Sequence, residues 1–136
     1  MSESERTRAA IQQYLDSLIK RDWTSFAAVL TEDVEYELPQ TNERISGREK
    51  FVRFNAEYPG DWTLEVTRLL ADGDTAAATF NLRLDEQDLV GIAFFQLTDG
   101  VIARVTDFWP EPYEPPAGRE DLVERVPART DRLSLG

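Results

Sequence analysis

The amino-acid sequence predicts an α+β domain in which a curved antiparallel sheet wraps around helices. Apolar residues recur mostly at helical spacing in the first 60 residues, whereas residues 62–109 alternate with a period of two. Short turns rich in Asp and Gly separate the four period-two segments, which indicates hairpins. A chain of 136 residues is long enough for one domain with a real core and too short for two substantial ones.

The composition excludes several classes of function. A formal net charge of −11 opposes binding to nucleic acid or anionic lipid. The chain contains no Cys and no His, which excludes disulfides, thiolate or His-dependent nucleophilic catalysis and an ordinary zinc site. Neither a calcium loop nor a phosphate-binding glycine loop is present, so we expect no metal and no cofactor. No membrane span or signal peptide is readable, and we predict a cytoplasmic protein without membrane or nucleic-acid partners.

The N-terminal third predicts a helical hairpin. Ser2 and Glu5 form a capping box before an amphipathic helix whose apolar stripe includes Tyr14. Asp22 is suited to cap a second, shorter helix. The residues predicted on one face of that second helix are Trp23, Phe26, Ala27 and Leu30.

A strand and a third helix follow the hairpin. Alternation from Val34 to Leu38 predicts a half-exposed strand that Pro39 stops, and residues 40–45 read as a polar loop. Ser46 and Glu49 have capping-box spacing. The third helix is predicted to carry Phe51, Phe54, Asn55 and Tyr58 on one face, which buries Asn55.

Four antiparallel strands complete the predicted sheet as a meander. They cover Trp62 to Leu70, Thr75 to Leu84, Leu89 to Thr98 and Val101 to Trp109. The third of these is apolar on both faces, and the chain has helices enough to cover only one face. We therefore expect a homodimer through the outer sheet face.

The last predicted strand places an acid among apolar residues. Asp107 and Trp109 share its inward face by alternation, so the strand borders a possible pocket. Domain boundaries are predicted at residues 1–110, with residues 111–136 forming a C-terminal strap. The proline-rich part runs from Pro110 to Pro116, a short helix is expected from Arg119 to Val126, and a mobile end from Pro127.

The order of these elements, with the segments LTEDVEYELP, SGRE and DGVIARVTDFW, resembles the nuclear-transport-factor-2-like (NTF2-like) superfamily, and within it the SnoaL-like proteins. The resemblance covers roughly residues 4–110. It implies a cone-shaped cavity between sheet and helices and, in many members, a dimer through the outer sheet face. Members include isomerases, dehydratases, cyclases and epoxide hydrolases as well as proteins without catalysis, so function has to be argued from the site.

Ketosteroid isomerase is a member of this superfamily with a known set of site residues. The resemblance places its oxyanion tyrosine on Tyr14 and a second hydrogen-bonding tyrosine on Asn55. Its general base falls on Leu38 and its second acid on Ala93. Both carboxylates of that mechanism are therefore missing, and the resemblance does not imply steroid isomerase activity.

Asp107 is the leading candidate for chemistry, with Tyr14 as a possible donor to a substrate oxygen. Desolvation against Trp109 would raise the pKa of Asp107 toward the range of a general acid or base. The alternative is an ion pair with an Arg or a hydrogen bond to a neighbouring element. Tyr14 could equally be a core tyrosine whose hydroxyl reaches polar neighbours.

The remaining candidates form the predicted pocket wall. Gapless matching to the family turns Arg83 inward with Thr79 and Asn81, where Arg83 could neutralise Asp107 or bind an anion; a register one residue different would turn all three outward. The other residues assigned to substrate binding are Asn55, Trp109, Phe54, Leu38, Ala93 and Tyr36.

Three functions fit this pattern. The first is binding of an apolar or aromatic small molecule with cofactor-independent proton transfer, such as isomerisation, dehydration or cyclisation. The second is a ligand carrier or sensor with the same pocket and no chemistry. The third is a structural or dimerisation module whose cavity is filled by its own side chains.

Overall fold

The computed structural model of the protein describes residues 1–127. Three helices and a six-stranded sheet pack together, so the predicted α+β class is confirmed. The elements in chain order are α1 (Glu3–Lys20), α2 (Trp23–Ala28), β1 (Leu30–Leu38), β2 (Glu43–Ser46), α3 (Arg48–Ala56), β3 (Trp62–Asp72), β4 (Thr75–Leu84), β5 (Gln87–Thr98) and β6 (Val101–Phe108).

The sheet has the strand order β2-β1-β6-β5-β4-β3 and is mixed. The meander β3 to β6 is antiparallel as predicted, but β1 pairs with β6 in parallel, with Tyr36 opposite Val105. The expectation of a purely antiparallel sheet was wrong in this respect. A parallel neighbour requires a long connection, and here the segment from β2 through β5 supplies it.

Side-chain alternation turns one sheet face toward the helices. On β5, Gly91, Ala93 and Phe95 are buried, whereas Phe94 on the other face is half exposed. This agrees with the two faces predicted for that strand. Helices and sheet both contribute to the core, whose largest fully buried side chains are Phe26, Phe51, Ile11, Ile102, Val34 and Val105.

Helix α1 is anchored at its start and along its length. The Ser2–Glu5 capping box is present, with the Glu5 amide donating to Ser2 Oγ at 3.1 Å. Thr7 Oγ1 donates to the Gly73 carbonyl at 2.6 Å, which ties the helix to the β3–β4 turn. The predicted cap of α2 is also confirmed, because the Ser25 amide donates to Asp22 Oδ1.

Two local predictions around β2 were wrong. The segment predicted as a loop contains β2, which pairs with β1. Its last residue, Ser46, belongs to that ladder, so it does not cap α3; Gly47, at φ 103°, occupies the cap position without a side-chain hydrogen bond. A positive φ of this kind suits glycine, and it lets the chain turn from strand to helix in one residue.

Three element ends also differ from the prediction. Leu30 begins β1 and does not belong to α2. Helix α3 ends at Ala56, which leaves Tyr58 outside it. The helix expected over Arg119–Val126 is reduced to a single turn at residues 120–122, and the end of the predicted strap, residues 128–136, lies outside the described residues.

Candidate functional site

A cavity of about 380 Å³ lies between the inner sheet face and helices α1 and α3. Its walls are mainly aromatic and aliphatic, with a few polar groups at the inner end and at the mouth. The lining residues used below are Tyr14, Tyr36, Leu38, Thr41, Glu43, Phe54, Asn55, Tyr58, Phe80, Leu82, Ala93, Asp107, Trp109, Pro110 and Glu111.

Asp107 is the buried acid of this cavity. Its place on β6 turns it inward opposite Ala93 of β5, and it is only 8% exposed. The Tyr36 hydroxyl donates to Asp107 Oδ2 at 2.5 Å. Burial raises the pKa of Asp107 from 3.8 to about 7, although the hydrogen bond from Tyr36 acts in the lowering direction. The carboxyl group can therefore gain or lose a proton near neutral pH.

No cation compensates Asp107 among residues 1–127. The prediction that Arg83 turns inward is wrong: its side chain is about half exposed and its Nη1 lies 3.0 Å from Asp88 Oδ1. Phe80 and Leu82 of the same strand line the cavity, and alternation sends Arg83 to the opposite face. The burial of apolar side chains thus decides which face of β4 turns toward the cavity.

The two other residues predicted to turn inward with Arg83 follow it to the outer face. Thr79 Oγ1 shares a hydrogen bond of 2.8 Å with Thr67 Oγ1. Asn81 does not border the cavity. Thr79, Asn81 and Arg83 therefore contribute nothing to this site.

Tyr36, on the neighbouring strand β1, supplies the hydrogen bond to a neighbouring element that was the alternative prediction for Asp107. The sequence did not identify Tyr36 as the donor, since it was assigned only to the pocket wall. The parallel β1–β6 register sets Tyr36 opposite Val105, which shares its face of β6 with Asp107. The Tyr36 ring stacks on Phe51 at 4.6 Å between centroids, which fixes its orientation. Burial and the nearby Asp107 raise the pKa of Tyr36 well above 10, so it stays a proton donor.

Tyr14 also lies at the inner end of the cavity, and only 4% of it is exposed. Its ring packs against Phe26 at 4.8 Å and edge-on against Phe95 at 5.2 Å. Burial, and secondarily Asp107, raise the pKa of Tyr14 well above 10. Its hydroxyl has no hydrogen-bond partner in the described part of the chain, so it remains available to a ligand.

Asn55 borders the cavity from α3 and is half-buried. Its Nδ2 donates to the Phe51 carbonyl at 3.0 Å. This bond uses one of the two amide hydrogens, and the second hydrogen and Oδ1 remain. Asn55 can thus offer a donor and an acceptor beside Phe54.

The apolar wall contains the remaining predicted residues. Leu38 at the end of β1, Phe54 of α3 and Ala93 of β5 all border the cavity. Phe54 also packs on Tyr36, with 5.6 Å between centroids. The structure therefore brings together every predicted site residue except Arg83.

Trp109 closes the wall at the end of β6 and packs on Phe80 with 5.3 Å between centroids. Gly91 makes this contact possible, because a Cβ there would overlap Phe80 Cε2 and lie 2.8 Å from Trp109 Cζ3. The Trp109 amide donates to Gln40 Oε1 in the loop after β1. Neither Gly91 nor Gln40 stood out in the sequence, since their effect depends on contacts across strands.

The mouth of the cavity is polar and acidic. Thr41 and Glu43 form one side, and the Thr41 hydroxyl donates to Glu43 Oε1 at 2.6 Å. The first residues of the strap, Pro110 and Glu111, form another side. The strap thus reaches its own pocket, whereas Tyr113 further along is 84% exposed.

Two other depressions lack the buried carboxyl group. One of about 440 Å³ lies on the outer sheet face around Phe94 and Arg104, and one of about 650 Å³ lies outside α3 around Lys50 and Arg53. Within residues 1–127, no three acidic side chains are arranged to hold a metal ion. No helix in the same range is long and apolar enough to cross a membrane.

Comparison with solved structures supports the fold. A putative ketosteroid isomerase from Kribbella flavida DSM 17836 is 61% identical, with a TM-score of 0.92 over 97% of this chain and 98% of that chain. An NTF-2 like protein from Burkholderia xenovorans LB400 is 20% identical, with a TM-score of 0.76 over 90% of this chain and 97% of that chain. A putative polyketide cyclase from Xanthomonas campestris pv. campestris is 26% identical, with a TM-score of 0.66 over 80% and 93% of the two chains.

Comparison with curated proteins finds no match. The family model of the SnoaL-like domain matches residues 11–105, which is most of the α+β domain and includes Tyr14, Tyr36 and Ala93. The chain therefore belongs to the SnoaL-like family and has the NTF2-like fold.

Proposed function

We propose that the chain binds an apolar or aromatic ketone in its cavity and catalyses cofactor-independent proton transfer on it, as an isomerase, dehydratase or cyclase. One observation carries this proposal. Asp107 faces the cavity with a pKa of about 7 and without a cationic partner among the described residues. A carboxyl group in this state can act as base and then as acid at neutral pH.

In the proposed reaction, the Asp107 carboxylate removes a proton from the carbon next to the substrate carbonyl. The electron pair of the C–H bond moves onto the carbonyl oxygen, and the Tyr14 hydroxyl donates a hydrogen bond to the resulting enolate. Asp107 then returns the proton to carbon or to a leaving group. Tyr14 suits the donor role because its raised pKa keeps it protonated, and Asn55 can supply a second donor.

Tyr36 acts through Asp107. Its hydrogen bond fixes the carboxyl group and partly offsets the effect of burial on the pKa of Asp107. The stacking of Tyr36 on Phe51 holds the hydroxyl in place. Oδ1 of Asp107, which has no hydrogen-bond partner within residues 1–127, is the oxygen assigned to the substrate.

The relationship to a putative ketosteroid isomerase supports carbon-acid chemistry in this cavity. The resemblance nevertheless places the two acids of the ketosteroid isomerase mechanism at Leu38 and Ala93 of this chain, neither of which is acidic. Asp107 lies directly opposite Ala93 across the β5–β6 pair, so a carboxyl group reaches the same inner face from the neighbouring strand. We therefore propose a mechanism that uses one acid, and we do not propose a steroid as the substrate.

Exchange of a carbon-bound proton tests this function without knowledge of the natural substrate. β-Tetralone in heavy water exchanges its activated hydrogens for deuterium, which NMR follows directly. The wild-type protein should accelerate exchange. The exchange rate that Asp107→Asn catalyses should be lower than that of the wild type by about 100-fold or more. Arg83→Gln, on the outer face, is the matched control and should leave the rate unchanged. An Asp107→Asn protein with the wild-type exchange rate would refute the proposal.

The two alternative functions predict other outcomes. A carrier or sensor would bind the ketone with equal affinity in the wild type and in Asp107→Asn, and neither would accelerate exchange. A structural module would bind no ligand, and the open cavity beside Trp109 argues against it. Equilibrium dialysis with the same ketone separates these cases.

We also propose a homodimer through the outer sheet face, in a cytoplasmic protein. Leu70 and Phe94 are 57% and 50% exposed on this face, and Phe94 packs edge-on against Phe108. A second copy would remove these apolar side chains from water. Light scattering should give twice the chain mass for the wild type and the single chain mass for Phe94→Glu; a wild-type monomer at all concentrations would refute the dimer.

A further inference from the structure

We infer that the substrate of this cavity carries no anionic group and presents a cationic amine at the mouth. This inference rests on the proposed function, because it assigns the neutral oxygen of the substrate to the inner end. The inference adds the charge of the other end of the substrate, which lies at the mouth of the cavity.

The charges that line the cavity are all acidic. Asp107 lies at the inner end, and Glu43 and Glu111 lie at the mouth. No Lys or Arg is among the described lining residues. An anionic substrate would meet a carboxyl group at either end, whereas an ammonium group at the mouth would lie next to two of them.

Three arginines near the cavity wall are engaged with other groups. The Arg21 guanidinium lies over the Trp62 ring, 3.7 Å from its centroid, and donates to the Trp62 carbonyl. Arg44 pairs with Glu35 at 3.9 Å and Arg104 pairs with Glu37 at 3.4 Å. Glu35 and Glu37 alternate with Tyr36 on β1, so both pairs lie on the outer sheet face. These arginines cannot neutralise the mouth without breaking their own pairs.

Two further cations lie outside α3. Lys50 and Arg53 border the depression on the outer side of this helix, and Phe54 and Tyr58 separate that depression from the cavity. Arg53 Nε also pairs with Glu57 at 2.8 Å. Among the described residues that line the cavity, only carboxyl groups carry a charge.

The inner end supplies an independent indication of a neutral oxygen. Tyr14 is 96% buried, borders the cavity, and has an unpartnered hydroxyl in the described structure. A carbonyl oxygen can accept its hydrogen bond. A carboxylate in this position would be repelled by the ionised fraction of Asp107, which lies close enough to raise the pKa of Tyr14.

Three acetylnaphthalenes that differ only in one substituent on the distal ring test this inference. The substituents are methoxy, aminomethyl and carboxylate, which are neutral, cationic and anionic at neutral pH. Binding is measured by calorimetry at low and high salt with the wild type, with Glu43→Gln/Glu111→Gln, and with the control Glu32→Gln/Glu65→Gln. The control pair has the same net charge change but lies outside the cavity lining, on exposed positions of β1 and β3.

We expect the aminomethyl compound to bind about tenfold more tightly than the carboxylate compound at low salt, which corresponds to about 1.4 kcal/mol. The Glu43→Gln/Glu111→Gln protein should lose most of this ratio, and the control protein should keep it. Binding of the methoxy compound together with equal affinities of the two charged compounds would overturn the charge inference and leave the proposed function intact. Failure of all three to bind would overturn both.

Discussion

Replacement of Asp107 by Asn should stabilise the protein at alkaline pH. Asn retains the shape of a protonated Asp and can accept the hydrogen bond from Tyr36, but it cannot ionise. The pKa of Asp107 rises from 3.8 to about 7 on folding. At about 1.4 kcal/mol for each pKa unit, the ionised side chain destabilises the fold by about 4 kcal/mol above neutral pH.

The sign of the change in stability with pH follows from the number of protons that the native and unfolded states bind. Between the two pKa values, native Asp107 keeps its proton while the unfolded chain has lost it, so the stability of the wild type falls as the pH rises from about 4 to about 7. Above this window both states are ionised and the difference is constant. Asp22, Glu57 and Glu120 have lowered pKa values and act in the opposite direction, but they are common to both proteins and cancel in the comparison.

Urea unfolding of the wild type and of Asp107→Asn from about pH 4 to about pH 8 measures this difference. The two proteins should have nearly equal free energies of unfolding at the acid end, and the variant should be more stable at the alkaline end. Parallel pH profiles would refute the elevated pKa. If the variant were less stable than the wild type at the alkaline end, a cation would have to compensate the ionised Asp107, contrary to the structure.

The remaining predictions concern the partners of this acid and the supports of the fold. Tyr36→Phe should raise the pKa of Asp107 further, because its hydrogen bond lowers that pKa; a carboxyl carbon titration by NMR with an unchanged or lower midpoint would contradict this. Gly91→Ala should displace Trp109 and cost about 1 to 3 kcal/mol, since the new methyl group overlaps Phe80 and Trp109; an unchanged tryptophan emission and unfolding curve would count against the packing described. Ser2→Ala should cost about 1 kcal/mol through loss of the α1 cap; a thermal unfolding midpoint equal to that of the wild type would contradict this.

Much of the fold and part of the site follow from sequence pattern. Period-two alternation identified the four strands of the meander, and the same alternation placed Asp107 and Trp109 on the inward face. The alternation also placed Phe80 and Leu82 on one face of β4 and Asn81 and Arg83 on the opposite face. Gapless matching to the family instead turned Asn81 and Arg83 inward, which was wrong. The local pattern of apolar residues is a better guide to the face on which a side chain lies than its position along a related chain.

The missing parts depend on contacts between distant segments. Strand β2 has four residues with little apolar alternation and is held only at the sheet edge by β1. The parallel pairing of β1 with β6 cannot be read from either strand alone. A hydrogen bond from a neighbouring element to Asp107 was an alternative in the sequence analysis, but Tyr36 could not be identified as its donor. The effect of Gly91 likewise requires knowledge of two rings on other strands.

The parallel pairing of β1 with β6 also bears on when the site can form during synthesis. Tyr36 and Asp107 are 71 residues apart, so they can meet only after the segment that forms β3 to β5 has been synthesised. While β6 is still inside the ribosome, the helices and the first strands have emerged, but the inner end of the cavity lacks Asp107. A nascent chain therefore acquires its binding site only after β6 has emerged, and ligand binding would report that the sheet is complete.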